Sequence, residues 1–500
     1  MFNKKILLFA LVAFSLIISS CKTNLLGGEA PINAQPSVPA APVVVDGMRT
    51  SYADVVDRTS PAVVRIEAEN KEKAQQQMAI PNSPFGEDFF RQFPQQQPRQ
   101  NQRPQIERGL GSGVIVSSDG TILTNNHVVD GAEKITVLMS DNKSFEAKIV
   151  GTDAPSDLAV LKIEGQNLPF LTLGNSDTIR VGDIVLAIGN PLGIGQTVTA
   201  GIISAKGRRT GLSDGSFEDF LQTDAPINRG NSGGALVNLN SELIGINSQI
   251  LSPGGASGGN IGIGFSIPSN MAKSVMDQLI KDGRVRRGML GVNIQNITDE
   301  ISKALDLTER AGVLVSNVKA GSAADKAGLK RNDIITGING EKIEDSNVLR
   351  NKVAGTLPGT EIKITVQRDG KEQEFVATLD EFDTKMDKPG ETGTEPNAEG
   401  PVGKDQGGKL GLSLQPVTPQ VAKQLGLESD SEGLVVTDLD PSGPSAEAGI
   451  ARGDVILEIN RKPVNSVSDV KAMLDAAVNK PLLLLVSRRG QTIYLTIKPN

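Results

Sequence analysis

The chain has 500 residues, a formal net charge of −7 at pH 7, one histidine, one cysteine and no tryptophan. An acidic chain without runs of basic residues interleaved with aromatics is unlike a nucleic-acid-binding protein, so no nucleic acid is expected as a partner. One histidine and one cysteine cannot supply the ligands of an ordinary zinc site, and no phosphate-cradling Gly-x-x-x-x-Gly-Lys segment is present, so neither a metal nor another cofactor is expected.

Residues 1–20 have the layout of a secretory signal peptide. Two lysines precede an apolar run from Ile6 to Ile18, which is short for a membrane span. Ser19-Ser20 before Cys21 resembles a bacterial lipoprotein cleavage box, which predicts lipidation of Cys21 and a membrane anchor. An incidental thiol after an ordinary signal peptide, and an uncleaved anchor, are the alternatives.

The next segments alternate between tether and folded domain. Residues 21–50 are rich in proline and lack a hydrophobic period, so they read as a flexible tether. Alternation in Ala62-Val63-Val64-Arg65-Ile66-Glu67 then predicts a first strand. Residues 71–108 are rich in glutamine and proline and contain four phenylalanines, a composition typical of disorder.

From Gly109 to Ile267, short aliphatic runs alternate with glycine, asparagine and aspartate turns. This spacing predicts an all-β sandwich or a pair of barrels. The predicted strands include the following segments: 113–116, 121–124, 134–138, 183–188 and 242–246.

His127 is the single candidate for any chemistry that needs an imidazole. It follows the strand-like run Thr121–Thr124 and opens an apolar turn, which would hold a site residue on a rigid scaffold. Asp157 heads the aliphatic run Leu158–Ile163, where a carboxylate could orient the imidazole.

Ser232 lies in a stretch of turn formers and glycines, Asp224-Ala225-Pro226-Ile227-Asn228-Arg229-Gly230-Asn231-Ser232-Gly233-Gly234. A serine hydroxyl becomes an effective nucleophile beside a base, and its tetrahedral intermediate needs N–H donors. Gly230 and Gly233 can adopt positive φ, which would allow a substrate carbonyl to approach the amides of Gly230 and Ser232, with Asn231 as a further donor. A tight turn without chemistry is the alternative.

The order His127, Asp157, Ser232, the contexts TNNHVV, SDLAVLKI and GNSGGALVN, and two C-terminal repeats resemble the HtrA (Deg) family of serine proteases. Other serine hydrolases use a different chain order. The resemblance implies a mainly β fold, in which a trypsin-like double β-barrel holds the triad in its cleft and two small α+β PDZ domains follow. The implied boundaries are 51–280 for the protease, 284–380 and 409–499 for the PDZ domains, and 381–408 for a linker.

The resemblance also suggests regulatory and specificity elements. It places 71–108 where the family has a long regulatory loop, and it makes Ile250 and Leu251 the apolar wall of the primary pocket. Asn247, Ser248 and Gln249 precede them on an apparent edge for substrate pairing. The alternative is that Ile250 and Leu251 belong to the core.

The C-terminal repeats are recognised by recurring motifs. Ala327-Gly328-Leu329 recurs as Ala448-Gly449-Ile450, an offset of 121. PDZ domains capture a peptide C-terminus with loop amides while the peptide adds a strand. The carboxylate loops would be Arg287-Gly288-Met289-Leu290-Gly291-Val292 and Lys409-Leu410-Gly411-Leu412, although the second module could serve assembly alone. The spacer 381–408 has almost no aliphatic residues and predicts that the modules move separately.

These features predict an ATP-independent serine endopeptidase of the cell envelope that degrades unfolded or damaged polypeptides. The expected location is the periplasm, with a lipid anchor if Cys21 is modified. The resemblance implies a homo-oligomer, either a trimer or a multiple of trimers. A chaperone or peptide-binding scaffold, and a regulatory protease switched on by peptide C-termini, are the alternative functions.

Overall fold

A computed structural model of the chain describes residues 44–45, 48–71, 106–191, 195–210, 217–228, 230–250, 259–307, 310–382, 410–425, 432–476 and 480–498. Cys21, Leu251, Lys409 and most of the predicted regulatory loop and linker lie outside these ranges. The chain divides into two compact units, Met1–Asp54 and Val55–Asn500. The first contains a hairpin of β1 (Val44–Val45) and β2 (Met48–Arg49).

Six strands form the first closed barrel: β3 (Val63–Lys71), β4 (Ile106–Ile115), β5 (Thr121–Thr124), β6 (Lys134–Leu138), β7 (Ser144–Asp153) and β8 (Leu158–Ile163). They close in the order β3-β4-β5-β8-β7-β6. Helices α1 (Ala53–Thr59) and α2 (Asn126–Val129) and 3-10 turns at Ser60–Ala62 and Ala154–Ser156 connect or precede them. Aliphatic side chains such as Ile66, Ile122 and Leu161 fill the interior.

A second closed barrel follows, built from β9 (Ile184–Gly189), β10 (Thr197–Arg208), β11 (Phe220–Thr223), β12 (Ala235–Asn238), β13 (Leu243–Ile250) and β14 (Gly264–Pro268). Its order is β10-β11-β14-β13-β12-β9, and a 3-10 turn, Ser176–Thr178, precedes it. The predicted pair of barrels is thus confirmed, with aliphatic residues in both cores.

Helix α3 (Ser269–Asp282) packs its apolar face, including Ala272 and Leu279, against the barrels. Ser269 is the first helical residue, and its hydroxyl donates to the Gly174 carbonyl at 2.6 Å. Gly283 ends the helix in a left-handed conformation. None of the described helices has the length and apolar character needed to cross a bilayer.

Two similar modules complete the chain. Module 1 (residues 288–382) contains β15 (Gly288–Met289), β16 (Val292–Asn296), α4 (Asp299–Ala304), β17 (Val313–Val318), α5 (Ala323–Ala327), β18 (Ile334–Ile338), β19 (Glu341–Lys342), α6 (Ser346–Gly355), β20 (Glu361–Arg368), β21 (Lys371–Thr378) and β22 (Asp380–Glu381). Module 2 (residues 410–498) contains β23 (Leu412–Pro416), α7 (Pro419–Gln424), β24 (Leu434–Leu439), α8 (Pro444–Glu447), β25 (Val455–Ile459), β26 (Lys462–Pro463), α9 (Val467–Ala476), β27 (Leu482–Arg488) and β28 (Gln491–Ile497).

The two modules share their sheet order, β16-β17-β18-β20-β21 in module 1 and β23-β24-β25-β27-β28 in module 2. They also share an ion pair between an arginine and a buried aspartate. Arg368 Nε donates to Asp333 at 2.6 Å, and Arg488 Nε donates to Asp454 at 2.8 Å. Each arginine also donates to a glycine carbonyl, so the internal repeat extends from sequence to side-chain contacts.

The modules pack against each other through one apolar cluster. Buried residues of module 1, including Ile301 and Leu314, contact Leu483, Leu485 and Tyr494 of module 2. The Tyr494 main chain exchanges two hydrogen bonds with the side chain of Gln295, of 2.8 and 2.9 Å. The spacer composition predicted that the modules move separately, whereas in this structure they are packed together through an apolar, buried and hydrogen-bonded contact.

Candidate active site

His127 lies in α2, directly after β5. Val128 and Val129 are buried and anchor this helical turn on the first barrel. The amide of Asn126 and the side-chain nitrogen of Asn125 both donate to the Asp157 carbonyl, at 3.1 and 2.9 Å. The His127 side chain remains 50% exposed, so it is held at its base and open to a substrate.

Asp157 follows the 3-10 turn Ala154–Ser156 and has a left-handed backbone, with φ of 54°. Its two carboxylate oxygens each lie 2.9 Å from His127 Nδ1, and Oδ1 also accepts the His127 amide at 3.1 Å. Because an ionised carboxylate only accepts hydrogen bonds, this pairing puts the proton on Nδ1 and leaves Nε2 as the basic nitrogen.

Ser232 is presented by a glycine-rich turn before β12. Gly230 and Gly233 have φ of 94° and 81°, the left-handed region that favours glycine. At Gly233 a β-carbon would lie 2.1 Å from the Ser112 carbonyl oxygen, so a larger residue would not fit. The sequence therefore uses glycine here to bring the nucleophile loop against the first barrel.

Ser248 joins the three predicted catalytic residues. The Ser232 hydroxyl donates to the Ser248 carbonyl at 2.9 Å, and the Ser248 hydroxyl donates to Asp157 Oδ2 at 2.9 Å. In this conformation no hydrogen bond joins the described Ser232 hydroxyl directly to His127. The structure thus brings residues of both barrels into one cleft, with the Ser232 hydroxyl turned toward β13.

The amides of the nucleophile turn are not equivalent. The Asn231 amide donates to the Asn228 carbonyl at 3.0 Å, whereas no acceptor is found for the Ser232 amide within the described part of the chain. Asn231 is therefore removed from the predicted oxyanion donors, because its hydrogen bond is used inside the turn. Gly230 and Ser232 stay the predicted donors.

The predicted substrate segment lies at the end of β13. Pairing with β12 ends at Ile246, whereas pairing with β14 continues to Ile250, so one side of residues 248–250 is open among the described strands. Asn247 is fully buried and bonds to the Ala235 carbonyl at 2.9 Å, which leaves its side chain to support the barrel. Ile250 packs partly into the second core, which favours the core alternative for that residue.

A groove of about 270 Å³ lies in module 1 between β16 and α6. It is lined by Phe217, Gly288, Met289, Leu290, Gly291, Val292, Asn293, Ile294, Lys319, Leu349, Arg350, Val353, Ala354 and Phe382. Five of the six residues of the first predicted carboxylate loop, Gly288 to Val292, therefore line this groove. Within the described part of the chain, no acceptor is found for the amides of Leu290 and Gly291.

Arg287 does not belong to this groove. Its guanidinium is buried and forms two hydrogen bonds with Asp153 of the first barrel, one of 2.9 Å. The guanidinium also lies 4.7 Å from the centroid of the Phe217 ring. Its predicted role at a peptide carboxylate is corrected, because the charge is already neutralised by a protease-domain aspartate.

Module 1 is also connected to β13, the strand that ends in the predicted substrate segment. The side-chain nitrogens of Asn347 and Asn351 donate to the Glu218 carbonyl at 3.1 and 2.7 Å. The Glu218 carboxylate accepts the Thr210 amide at 2.6 Å, and Gln249 donates to the Thr210 hydroxyl at 3.2 Å. Helix α6 is thus linked by hydrogen bonds to a residue of β13.

Asp219 lines a second cavity, of about 440 Å³, between module 1 and the barrels. Burial raises the pKa of Asp219, and the nearby Asp177 carboxylate raises it further, while Lys206 and Lys352 act in the opposite direction. This boundary therefore contains a carboxylate whose charged form is disfavoured.

The second predicted carboxylate loop is only partly described. Leu410 and Leu412 are buried in the core of module 2, and Gly411 has a positive φ of 67°. Their side chains serve the fold, so any peptide contact would use the main chain.

Sequence reasoning missed one contact of the active site and several residues that line the groove. Ser248 was predicted to contact substrate, but its bond to Asp157 had no signal in the sequence. Phe217, Lys319 and Arg350 line the groove although none lies in the glycine motif. A search for cations and aromatics near the module boundary could have suggested Phe217 and Arg350.

Comparison with known proteins agrees with this geometry. Residues 111–246 match the trypsin-like peptidase domain family, and residues 288–379 and 435–488 each match a PDZ domain family. Among solved structures, an HtrA-type protease AlgW with tripeptide is 43% identical, with a TM-score of 0.53, covering 67% of this chain and 98% of that chain.

The chain is also similar to full-length proteins. It is 42% identical over 463 residues to a probable periplasmic serine endoprotease, DegP-like, of Chlamydia trachomatis serovar D, covering 90% of this chain and 88% of the relative. The chain belongs to the HtrA (Deg) family of serine endoproteases. Another HtrA-family relative is the periplasmic pH-dependent serine endoprotease DegQ of Escherichia coli K12, 40% identical over 450 residues, covering 90% and 91%.

Family membership fixes the class of the protein. It is a serine endopeptidase with polypeptide substrates, and its modules 1 and 2 are PDZ domains.

Proposed function

We propose that this HtrA-family enzyme cleaves peptide bonds by acyl transfer to Ser232. His127 Nε2 takes the proton from the Ser232 hydroxyl as the Ser232 oxygen attacks the scissile carbonyl. His127 then donates this proton to the leaving amine. Asp157 orients the imidazole and stabilises its protonated form. Water then hydrolyses the acyl-enzyme by the same base. The observation that carries this proposal is the 2.9 Å pair of His127 Nδ1 and Asp157, linked through Ser248 to Ser232.

The reaction requires one movement of the nucleophile. The Ser232 hydroxyl now donates to the Ser248 carbonyl, so it must rotate about its Cα–Cβ bond toward Nε2. The rotation takes the hydroxyl from one staggered position to another and replaces its bond to the Ser248 carbonyl by a bond to the imidazole. The amides of Gly230 and Ser232 then bind the oxyanion of the tetrahedral intermediate.

The substrates are unfolded or damaged polypeptides of the cell envelope. The open side of residues 248–250 supports this, because an extended chain can pair there as an added strand. The names of the relatives support a periplasmic location. Lipidation of Cys21 would add a membrane anchor, and assembly into trimers or their multiples belongs to the same proposal.

Regulation by peptide C-termini is a second candidate function. Its specific support is that Phe217 of the protease domain lines the PDZ groove, next to Glu218, which the α6 asparagines hold. A peptide in the groove would therefore contact a residue adjacent to the Glu218–Thr210 bond.

One experiment separates these functions. Casein cleavage is measured for wild type and Ser232→Ala, with and without peptides ending in free carboxylates. Loss of cleavage in Ser232→Ala supports the acyl-transfer proposal, and stimulation by peptide supports regulation. A Ser232→Ala chain that retains its cellular role would instead favour the chaperone alternative. Fractionation of wild type and Cys21→Ser tests the lipid anchor.

A further inference from the structure

Ser112 of β4 lies in the first barrel but contacts the nucleophile loop of the second. It is fully buried. Its amide donates to the Ser232 carbonyl at 2.8 Å, and its hydroxyl donates to the Gly230 carbonyl at 2.6 Å. The same hydroxyl accepts the Asn190 amide at 2.8 Å. A single side-chain oxygen therefore bridges two main-chain groups of the second barrel.

These bonds fix alternate peptide groups of the nucleophile loop. The Gly230 carbonyl belongs to the peptide group that follows the predicted Gly230 donor, and the Ser232 carbonyl belongs to the group that follows the Ser232 donor. The group between them is held separately, because the Gly234 amide donates to the Asn231 carbonyl at 2.9 Å. Among the described hydrogen bonds, Ser112 therefore has none to the peptide groups that contain the donors, but it fixes the peptide group that directly follows each of them.

The contact is also close in space. A β-carbon on Gly233 would meet the Ser112 carbonyl oxygen at 2.1 Å and the Thr124 hydroxyl at 2.3 Å. Thr124 in turn donates to that carbonyl at 2.7 Å and holds it in place. The loop therefore rests directly on the main chain at Ser112.

We propose that Ser112 is a positioning residue whose hydroxyl, by fixing the Gly230 carbonyl, keeps the adjacent Gly230 amide in its reactive orientation as an oxyanion donor. The proposal rests on the acyl-transfer function proposed above. An alanine would leave the Gly230 carbonyl and the Asn190 amide without their shared partner. The peptide group between Gly230 and Asn231 would then be held, among the described residues, only by the Asn231 amide, and because glycine tolerates many backbone conformations it would rotate more readily.

The test compares Ser112→Ala with Ser269→Ala. Ser269 is an equally buried serine whose hydroxyl donates to a main-chain carbonyl at the same 2.6 Å, but it lies in α3, away from the cleft. We expect Ser112→Ala to lower kcat on a peptide substrate by about 10-fold to 100-fold with KM nearly unchanged, somewhat less than the loss of a direct oxyanion donor. Ser269→Ala should keep kcat within about twofold at a similar loss of melting temperature.

A second readout reports on the oxyanion itself. A peptide aldehyde forms a tetrahedral adduct with the nucleophile, so its inhibition constant should weaken in Ser112→Ala by the same factor as kcat/KM. A purely structural role would not move these two quantities together. Ser112→Cys keeps the side-chain size but has a weak donor, and it should fold and also lose kcat.

Each outcome decides between proposals. Wild-type kcat and aldehyde affinity in folded Ser112→Ala or Ser112→Cys would overturn the role of Ser112 alone. Retention of hydrolysis in Ser232→Ala would overturn the acyl-transfer function and the Ser112 proposal with it. A parallel fall in kcat and aldehyde affinity, absent from Ser269→Ala, supports the positioning role.

Discussion

The Ser232 hydroxyl donates to the main-chain carbonyl of Ser248 at 2.9 Å, while the Ser248 hydroxyl donates to Asp157 at 2.9 Å. Ser248 thus contacts both the proposed nucleophile, Ser232, and the carboxylate that orients His127. Replacing its side chain affects only the second contact, since the first uses the main chain.

Ser248→Ala is therefore expected to reduce kcat by about tenfold, the usual worth of a hydrogen bond to a charged group, with little change in KM. Steady-state kinetics on a peptide substrate measures this. Ser248→Thr keeps the hydroxyl and serves as the matched control. An unchanged kcat in the alanine variant would show that Asp157 needs no support from β13.

The triad residues should act as a unit. Ser232→Ala is expected to reduce kcat by about 10⁶-fold, and the double variant with His127→Ala should be no worse. Asp157→Asn should cost about 10⁴-fold, because the amide can no longer hold His127 in the correct tautomer. Hydrolysis rates and fluorophosphonate labelling of the three variants measure these effects. Additive losses would contradict a common mechanism.

The buried Arg287–Asp153 pair should contribute to the attachment of module 1. Arg287→Ala leaves the Asp153 carboxylate buried without its counter-ion, so we expect a loss of about 3–5 kcal/mol in the free energy of unfolding. Arg284→Ala is the control, because Arg284 is exposed and its pair with Glu381 should be worth less than about 1 kcal/mol. Urea unfolding of both variants tests this, and equal losses would contradict it.

Tyr494 should hold the two PDZ modules together. Its ring is buried in the cluster between them, and its hydroxyl donates to Asn332 at 2.6 Å. Tyr494→Ala should cost about 3–5 kcal/mol and increase hydrogen exchange at the Gln295 contact. Tyr494→Phe keeps the ring and should cost about 1 kcal/mol. Unchanged exchange in the alanine variant would show that the modules stay docked without this ring.

Asp219 should make stability depend on pH. Burial and Asp177, with a smaller contribution from Asp345, raise its pKa above the ordinary 3.8, and Lys206 and Lys352 oppose the shift. The folded state then binds a proton more readily than the unfolded chain, so Asp219 lowers stability as pH rises through its folded pKa. Asp219→Asn should raise the melting temperature at neutral pH and flatten this decline.

Asp141 is the control for the titration of Asp219, because its pKa is shifted in the opposite direction. The pKa of Asp141 is lowered by Lys143, so its charged form favours the folded state at neutral pH. At a pH above the ordinary pKa of Asp141, Asp141→Asn should therefore lower the melting temperature slightly. At a pH below the pKa of Asp141 in the folded state, the substitution should have no effect. Melting curves from about pH 2 to about pH 8 compare the variants, and parallel curves for Asp219→Asn and wild type would refute the Asp219 prediction.

Local patterns in the sequence predicted local structure well. The alternation over 134–138 became β6 with the same bounds, because one side of that strand faces the core. The positions of His127 and Asp157 after β5 and before β8 also followed from local runs of aliphatic residues.

Contacts between distant segments could not be predicted. Ser269 is of a residue type common at helix N-caps, but its hydroxyl donates to the carbonyl of Gly174, which is distant in sequence. Arg287 lies in a motif that suggested peptide binding, yet its partner Asp153 belongs to the first barrel. The apolar residues between the modules resemble ordinary core positions, so composition gave no sign that two domains share them.

Because the reactive groups lie on separate barrels, the enzyme becomes active only after both barrels have folded. His127 and Asp157 lie between strands of the first barrel, whose last strand ends at Ile163, whereas Ser232 and Ser248 belong to the second barrel, which ends at Pro268. A nascent chain therefore lacks a complete active site until Pro268 of its 500 residues has been synthesised, so it cannot cleave neighbouring unfolded chains before that point. Heat that unfolds either barrel also inactivates the protease, because it separates Ser232 from His127 and Asp157.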